Sequence, residues 1–391
     1  MFEVNMWTYP WDLVDEGIDR ALDRLKGEAG VTGVSLAVTY HSIEQLRPHP
    51  DVTPRTFRSP GGAQFQPKPE LYAATRIRPV VAPWLKKSNP LAAVSEACDK
   101  LGLKLRAWTV CCHGSAMVAK YPAFAMKDVF GDSSVNWLCP VNPDVREYLR
   151  ALVEDLTTHY LFDTVELERP SFPEKLHSHA HHKIGVVLGP VGEFLCNLCF
   201  CESCRQAAER DGVNVEAAAS AAMEGLTAIL SDRDFEASSR ESYLSENPDL
   251  AAFVDWRSGQ IASLVASLKQ TSSVRVVVHR VGDHYMTAAD WRSIAGACDG
   301  LLAPCSYSGD DAMKTLVHEV RGDTGSMAGV ELSFNACSPQ CPSAEAFVSA
   351  VAGAARLGVR SVDVYNYGLL PIDRLEWVRR AARYAHREHL D

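Results

Sequence analysis

Short apolar runs rich in β-branched residues alternate along the chain with longer stretches of helical period, and the runs number eight. They are EVNMWTY (3–9), GVSLAVTY (33–40), LKLRAWTV (103–110), DTVELE (163–168), VRVVVHR (274–280), GLLAPCS (300–306), GVELSFN (329–335) and SVDVYNY (361–367). Helical period marks DLVDEGIDRALDRLKGEA, PLAAVSEACDKLG, NPDVREYLRALVEDLTTHY, TAADWRSIAGACDG, SAEAFVSAVAGAARLG and the closing PIDRLEWVRRAARYAHREHL. Several of these open on Asn-Pro, Thr or Ser and close on Gly, as helix caps prefer. Eight strands each followed by helix predict an α/β fold, a (β/α)8 TIM barrel. An open doubly wound sheet is the alternative, but no G-x-G-x-x-G follows the first strand.

Two connections exceed ordinary βα loops. Residues 41–88 after the second strand hold eight prolines, which suits an ordered excursion over the barrel mouth. Residues 169–273 after the fourth begin with a His-rich loop, pass through a cysteine cluster and continue as Ala-rich helix. The expected organisation is therefore one barrel domain over 1–391 with long insertions after strands two and four. No repeat at solenoid spacing interrupts that pattern.

Composition narrows the class of partner. With 39 basic and 49 acidic residues the net charge is −10, without a Lys/Arg run, which argues against nucleic acid and acidic membrane surfaces. The first residues lack the basic and apolar segments of an export signal, and no stretch of roughly 18 apolar residues follows. The expectation is a soluble cytoplasmic protein taking a small neutral substrate, with homo-oligomer formation left open. Twelve cysteines at uneven spacing then suggest reduced thiols and a metal site ahead of disulfides.

A barrel of this kind reacts at the C-terminal ends of its strands, so polar residues there carry weight. His41 follows the second strand, His113 the third, Glu168 ends the fourth, His279 lies late in the fifth, Asn335 ends the seventh, and Asn366 and Tyr367 end the eighth. Strand alternation puts Glu166 and Glu168 on one face of the fourth strand, and Glu331, Ser333 and Asn335 on one face of the seventh. Pointed inward, these carboxylates would meet across the mouth, as glycosidic cleavage by paired acids requires. The competing reading of Glu331, Glu166 and Asp363 is a buried, ion-paired structural role. Trp7, Trp108 and Tyr365 are candidate stacking surfaces for a sugar. His177, His179, His181 and His182 of HSHAHHK could bind substrate, hold a metal or stay solvated; His179 and His182 are taken as substrate contacts, with His41, His113, His279, Asn335 and Asn366.

Cys199, Cys201 and Cys204 form C-x-C-x-x-C running into a helix, a spacing that converges thiolates on a tetrahedral cation. The segment LCFCESCRQAAERDG, placed after a Glu-bearing fourth strand, resembles the zinc-binding C-x-C-x-x-C of the family 42 β-galactosidases. The chain is also similar to uncharacterised glycoside-hydrolase-like barrels in YHS, LRAWTV, LCPVNPDVR and VELE. The resemblance implies a structural zinc, with a fourth cysteine from an upstream loop. Cys139 is the favoured fourth ligand and Cys196 the alternative. It also implies a carbohydrate or glycoside substrate and Glu168 as acid/base; the nucleophile does not carry over, and Glu331 or Glu166 is taken as partner carboxylate from strand placement alone. The chain departs from those galactosidases at two points: Leu167, where Asn precedes their acid, and Asn335, where their nucleophilic Glu ends the seventh strand. Two other functions fit the same residues: a metal-dependent sugar isomerase, epimerase or hydrolase using His41, His113, Glu168 and His279, and a non-catalytic sugar-binding barrel.

Overall fold

The computed structural model describes residues 2–174, 183–231, 239–325 and 329–388. Eight parallel strands, each within two residues of its sequence-derived bounds, are β1 (Glu3–Thr8), β2 (Gly33–Tyr40), β3 (Lys104–Val110), β4 (Thr164–Glu168), β5 (Arg275–His279), β6 (Gly300–Pro304), β7 (Val330–Asn335) and β8 (Ser361–Tyr365). They pair in chain order, and the β1–β2 and β1–β8 pairings close the ring into a barrel. The continuous apolar runs follow from this closure, since residues such as Val165, Leu167, Val276 and Val278 lie fully buried between the strands and the helices around them.

Helices fill the connections. Asn142 starts Pro143–His159 by accepting hydrogen bonds from the amides of Asp144 (2.9 Å) and Val145 (3.3 Å). The expected long helix after β1 is instead two, Pro10–Glu16 and Ile18–Arg24, because Gly17 at φ 95° occupies backbone space closed to other residues. The one expected at 287–300 shortens to Trp291–Gly296. The β2–β3 connection carries a hairpin (Ile43–Leu46 with Thr56–Ser59) and the helix Pro90–Leu101. That between β4 and β5 carries the helices Gly189–Cys196, Glu202–Arg210, Val215–Leu230, Arg240–Glu246 and Pro248–Thr271. No helix among the described residues is long and apolar enough to cross a membrane.

The inside of the barrel is ionic at mid-height. Asn5, Ser35, Arg106, Glu166, Glu331 and Asp363 are at most 1% exposed. Arg106 is the hub: its Nε meets Glu166, its Nη2 lies 2.7 Å from Glu331, and Asp363 is 3.8 Å away. Arg275 reaches Glu331 from the other side at 3.0 Å. Burial alone would raise Glu166, but Arg106, with His279 and Ser35, holds it down to about 2. Glu331 is also lowered: Arg106 and Arg275 override its burial. Asp363 goes the other way, pushed far up toward its neutral form by burial and by Glu166 and Glu331, against the pull of Arg106. The layer thus sets three buried carboxyls against the guanidiniums of Arg106 and Arg275, and Asp363 is the one pushed toward its neutral form.

Two outcomes follow from this layer. Arg106→Met strands buried carboxylates without their cation, so urea unfolding should show a loss of about 3–5 kcal/mol; an unchanged midpoint would refute the hub. Glu166 has a depressed folded pKa, so its contribution to stability is full above its ordinary value of 4.5 and is lost as pH falls toward about 2. Unfolding measured from pH 7 down to pH 3 should therefore weaken less steeply in Glu166→Gln than in the parent.

Candidate functional site

Above the ionic layer the strand ends enclose a cavity of about 350 Å³. Trp7, Tyr40, Trp108, Glu168 and His279 line it from β1 to β5. Leu302, Pro304 and Cys305 at β6, Ser333, Phe334 and Asn335 at β7, and Tyr365 at β8 complete the wall, with Val281 beyond β5. Every barrel strand thus contributes at its C-terminal end, where such folds place their chemistry.

Two carboxylates of β4 end up in different worlds. Alternation turns Glu166 and Glu168 to the same side, one turn of the pleat apart. Glu166 is fully buried, and its Oε2 accepts from Ser35 Oγ (2.8 Å), Trp7 Nε1 (3.1 Å) and His279 Nε2 (3.3 Å). Glu168 reaches the cavity, with Trp108 Nε1 donating to its Oε2 at 2.5 Å. Each indole of the floor therefore fixes one glutamate.

The aromatic residues form a ladder. His279 stacks on Trp7, Trp7 on Trp108, Trp108 on Tyr9, Tyr9 on Trp11 and Trp11 on Phe57, with centroids 4.6–5.5 Å apart. Trp7 and Trp108 thus stack on each other and on His279 and Tyr9, and both line the cavity. Tyr365 stands edge-on to Trp7 at 88° and joins the hydroxyls of Tyr9 and Tyr40 in one chain, Tyr9 lying 2.9 Å from Tyr365 and 3.0 Å from Tyr40. Burial raises all three phenols above the usual range.

The remaining sequence candidates divide. Asn335 lines the cavity while its Oδ1 accepts from the Cys337 amide at 2.7 Å. Glu331, expected at the mouth, lies fully buried in the ionic layer because it stands four residues below the strand end at Asn335. Asn366 is also fully buried, its Oδ1 spent on the Gly368 amide at 3.0 Å, and the peptide before it is cis. His41 and His113 stack on each other (4.4 Å) between Tyr40 and Trp137, outside the cavity wall. His179 and His182 lie outside the described residues. Sequence reading passed over Tyr40, Cys305 and Arg106; an Arg two positions before Trp108 on an inward strand face was the available signal for the last.

One other group stands apart. Cys139, Cys199, Cys201 and Cys204 are all buried, and their sulfurs lie within 4.8 Å of one another. Among the described residues they are the set that brings three or more ligand atoms together; His41, His113, Glu168 and His279 form none, because the two stacked histidines lie off the cavity and His279 is turned to Glu166. Cys139 supplies the fourth sulfur, 3.5 Å from Cys204, whereas Cys196 lines a separate cavity with Asp128. Hydrogen bonds from the other three thiols pull Cys201 below its ordinary value, while burial pushes Cys139 up. Four buried sulfurs this close together are a donor set that could hold a metal ion. Arg257, fully buried on the long helix before β5, is the cation beside it; its charge feels Cys204, Cys199 and Cys139, and burial lowers it to about 10.

The cluster also ties the site together. Phe200 N bonds Lys127 O at 2.7 Å and Asn142 Nδ2 bonds Ser203 Oγ at 2.8 Å, joining the loops after β3 and β4. Trp137 Nε1 then reaches Ser171 O at 2.9 Å, three residues past Glu168.

No protein-family model matches the chain, and no curated protein does. Solved structures do match, and they share its barrel. The glycoside hydrolase domain of PgaB (BpsB) from Bordetella bronchiseptica superposes with a TM-score of 0.60 at 11% identity over 97% of this chain and 98% of that one. β-Galactosidase from the psychrophilic Marinomonas ef1 gives 0.56 at 13% identity, over 98% of this chain and 59% of its own. α-L-Fucosidase isoenzyme 2 from Paenibacillus thiaminolyticus gives 0.55 at 12% identity, over 98% of this chain. The chain spans about half the length of the fucosidase (49%). At these identities the likeness is one of fold: a closed eight-stranded parallel barrel that glycoside hydrolases also use.

Proposed function

We propose that this chain is a glycoside hydrolase acting on a neutral carbohydrate, with Glu168 as its general acid/base. One observation carries the reading: among the described residues Glu168 is the carboxylate that lines the mouth cavity, held in place by an indole N–H. Leaving-group departure from an anomeric carbon needs a proton delivered to the glycosidic oxygen, and a fixed carboxyl at a semi-enclosed site supplies it. No Lys or Arg lines the cavity among the described residues, which favours an uncharged sugar. Tyr40, Tyr365 and Asn335 offer hydroxyl and amide groups to its hydroxyls. The solved glycosidases with the same barrel make the class chemically reasonable. The domain reading remains one barrel over 1–391, with 169–273 as an insertion.

The ion at the four cysteines is read as zinc. Four thiolates with no open position make a structural site, so its part is to clamp the two loops behind Glu168, not to touch substrate.

Glu168→Gln should lower turnover on a responsive 4-nitrophenyl glycoside by about 10²–10⁴-fold with the unfolding midpoint unchanged. Undiminished turnover would remove the acid. Metal analysis of the purified protein should find one zinc per chain, and Cys139→Ser or Cys201→Ser should lower both zinc content and Tm. Full metal content in both variants would exclude the cluster as the site.

A further inference from the structure

The proposed hydrolysis needs a second proton-transfer group, and among the described residues the cavity wall offers no second carboxylate. Glu166, Glu331 and Asp363 are all fully buried in the ionic layer, and Glu168 is alone among the acids lining the cavity in the described residues. What the wall does carry is His279, on the neighbouring strand in register one step beyond the Val278–Leu167 pair, hence level with Glu168.

His279 is held on two sides. Its ring stacks on Trp7 at 5.2 Å and 15°, and its Nε2 lies 3.3 Å from Glu166 Oε2. Glu166 is itself fixed as an anion by Arg106, Ser35 and Trp7, so it accepts and Nε2 must carry the hydrogen. The lone pair is thereby left on Nδ1, which has no protein partner among the described residues and belongs to a ring that lines the cavity. A carboxylate fixing a histidine tautomer so that the other nitrogen can act as base is a recurring arrangement of proton-transfer sites.

We infer that His279 is the catalytic base of this pocket and Glu166 the residue that positions it. The inference rests on the glycosidase reading above. In the step, the oxygen of water bonds to the anomeric carbon while Nδ1 of His279 takes one of its protons. The bond from that carbon to the glycosidic oxygen breaks as Glu168 gives its proton to the departing oxygen. The products are the free sugar and the released alcohol, with His279 protonated and Glu168 ionised; solvent resets both. A single displacement inverts the anomeric configuration. The other titratable groups of the wall are Tyr40, Cys305 and Tyr365, and burial holds the Cys305 thiol up at about 11 and both phenols high, so none competes as base.

The first test uses the wild-type protein. Proton NMR of the fresh product should show the inverted anomer, and long-range ¹⁵N–¹H spectra of histidine-labelled protein should show His279 as the Nε2–H tautomer. His279→Phe keeps a flat ring against Trp7, identifies the signal, and should lower kcat by about 10²–10⁴-fold. Glu166→Gln should weaken the Nε2–H preference of His279 in the same spectra, a change that a purely structural glutamate would not produce. A retained product, or the Nδ1–H tautomer, overturns the base while leaving Glu168 as acid. Insensitivity to Glu168→Gln instead removes the glycosidase reading, and this inference with it. Should His279→Phe not fold, the anomer and the wild-type tautomer decide the matter.

Discussion

A guanidinium in the buried centre of the barrel is the constraint on which the rest depends. Arg106 is 1% exposed and so shut off from bulk solvent, and its charge must be met by Glu166 on β4 and Glu331 on β7, across the ring from each other. Those contacts fix how the two halves of the barrel face one another. They also fix Glu166 as an anion, and from Glu166 the order passes upward to Ser35, Trp7 and His279. The floor of the cavity is therefore set by electrostatics one layer below it.

Two glutamates two residues apart show how environment assigns roles. Glu166 meets a cation and three hydrogen-bond donors in a closed layer, and it is a fixed anion. Glu168 meets one indole N–H and an open cavity, which is the placement that the acid/base proposal uses. The aromatic ladder serves this division. Its rings cover each other and leave their two indole N–H groups to the two carboxylates, so apolar area stabilises the wall while polar edges orient the acids.

The cysteine cluster works at longer range. Its sulfurs come from the connections after β3 and β4, the strands that carry Trp108 and Glu168. Through Trp137 and Ser171 the loop behind Glu168 is tied to that fixed point. Arg257 brings a buried positive charge near the sulfurs of Cys204, Cys199 and Cys139, without a carboxylate partner among the described residues.

By itself, the sequence determined the barrel, because strands buried on both faces write continuous apolar runs and helices between them write a 3.6-residue period; all eight strands were legible to within two residues. It also determined the C-x-C-x-x-C, whose ligands are close in the chain, and the placing of Glu168 at a strand end. Only the tertiary structure decided what crosses between strands. That Arg106 neutralises Glu331, 225 residues away, that His279 answers to Glu166 over 113, and that Trp7 and Trp108 cover each other's faces are consequences of ring closure. Periodicity reports which side of a strand a residue occupies. It carries no information on how far below the rim the residue sits or which distant charge it meets, and those two quantities separate a structural carboxylate from a reactive one.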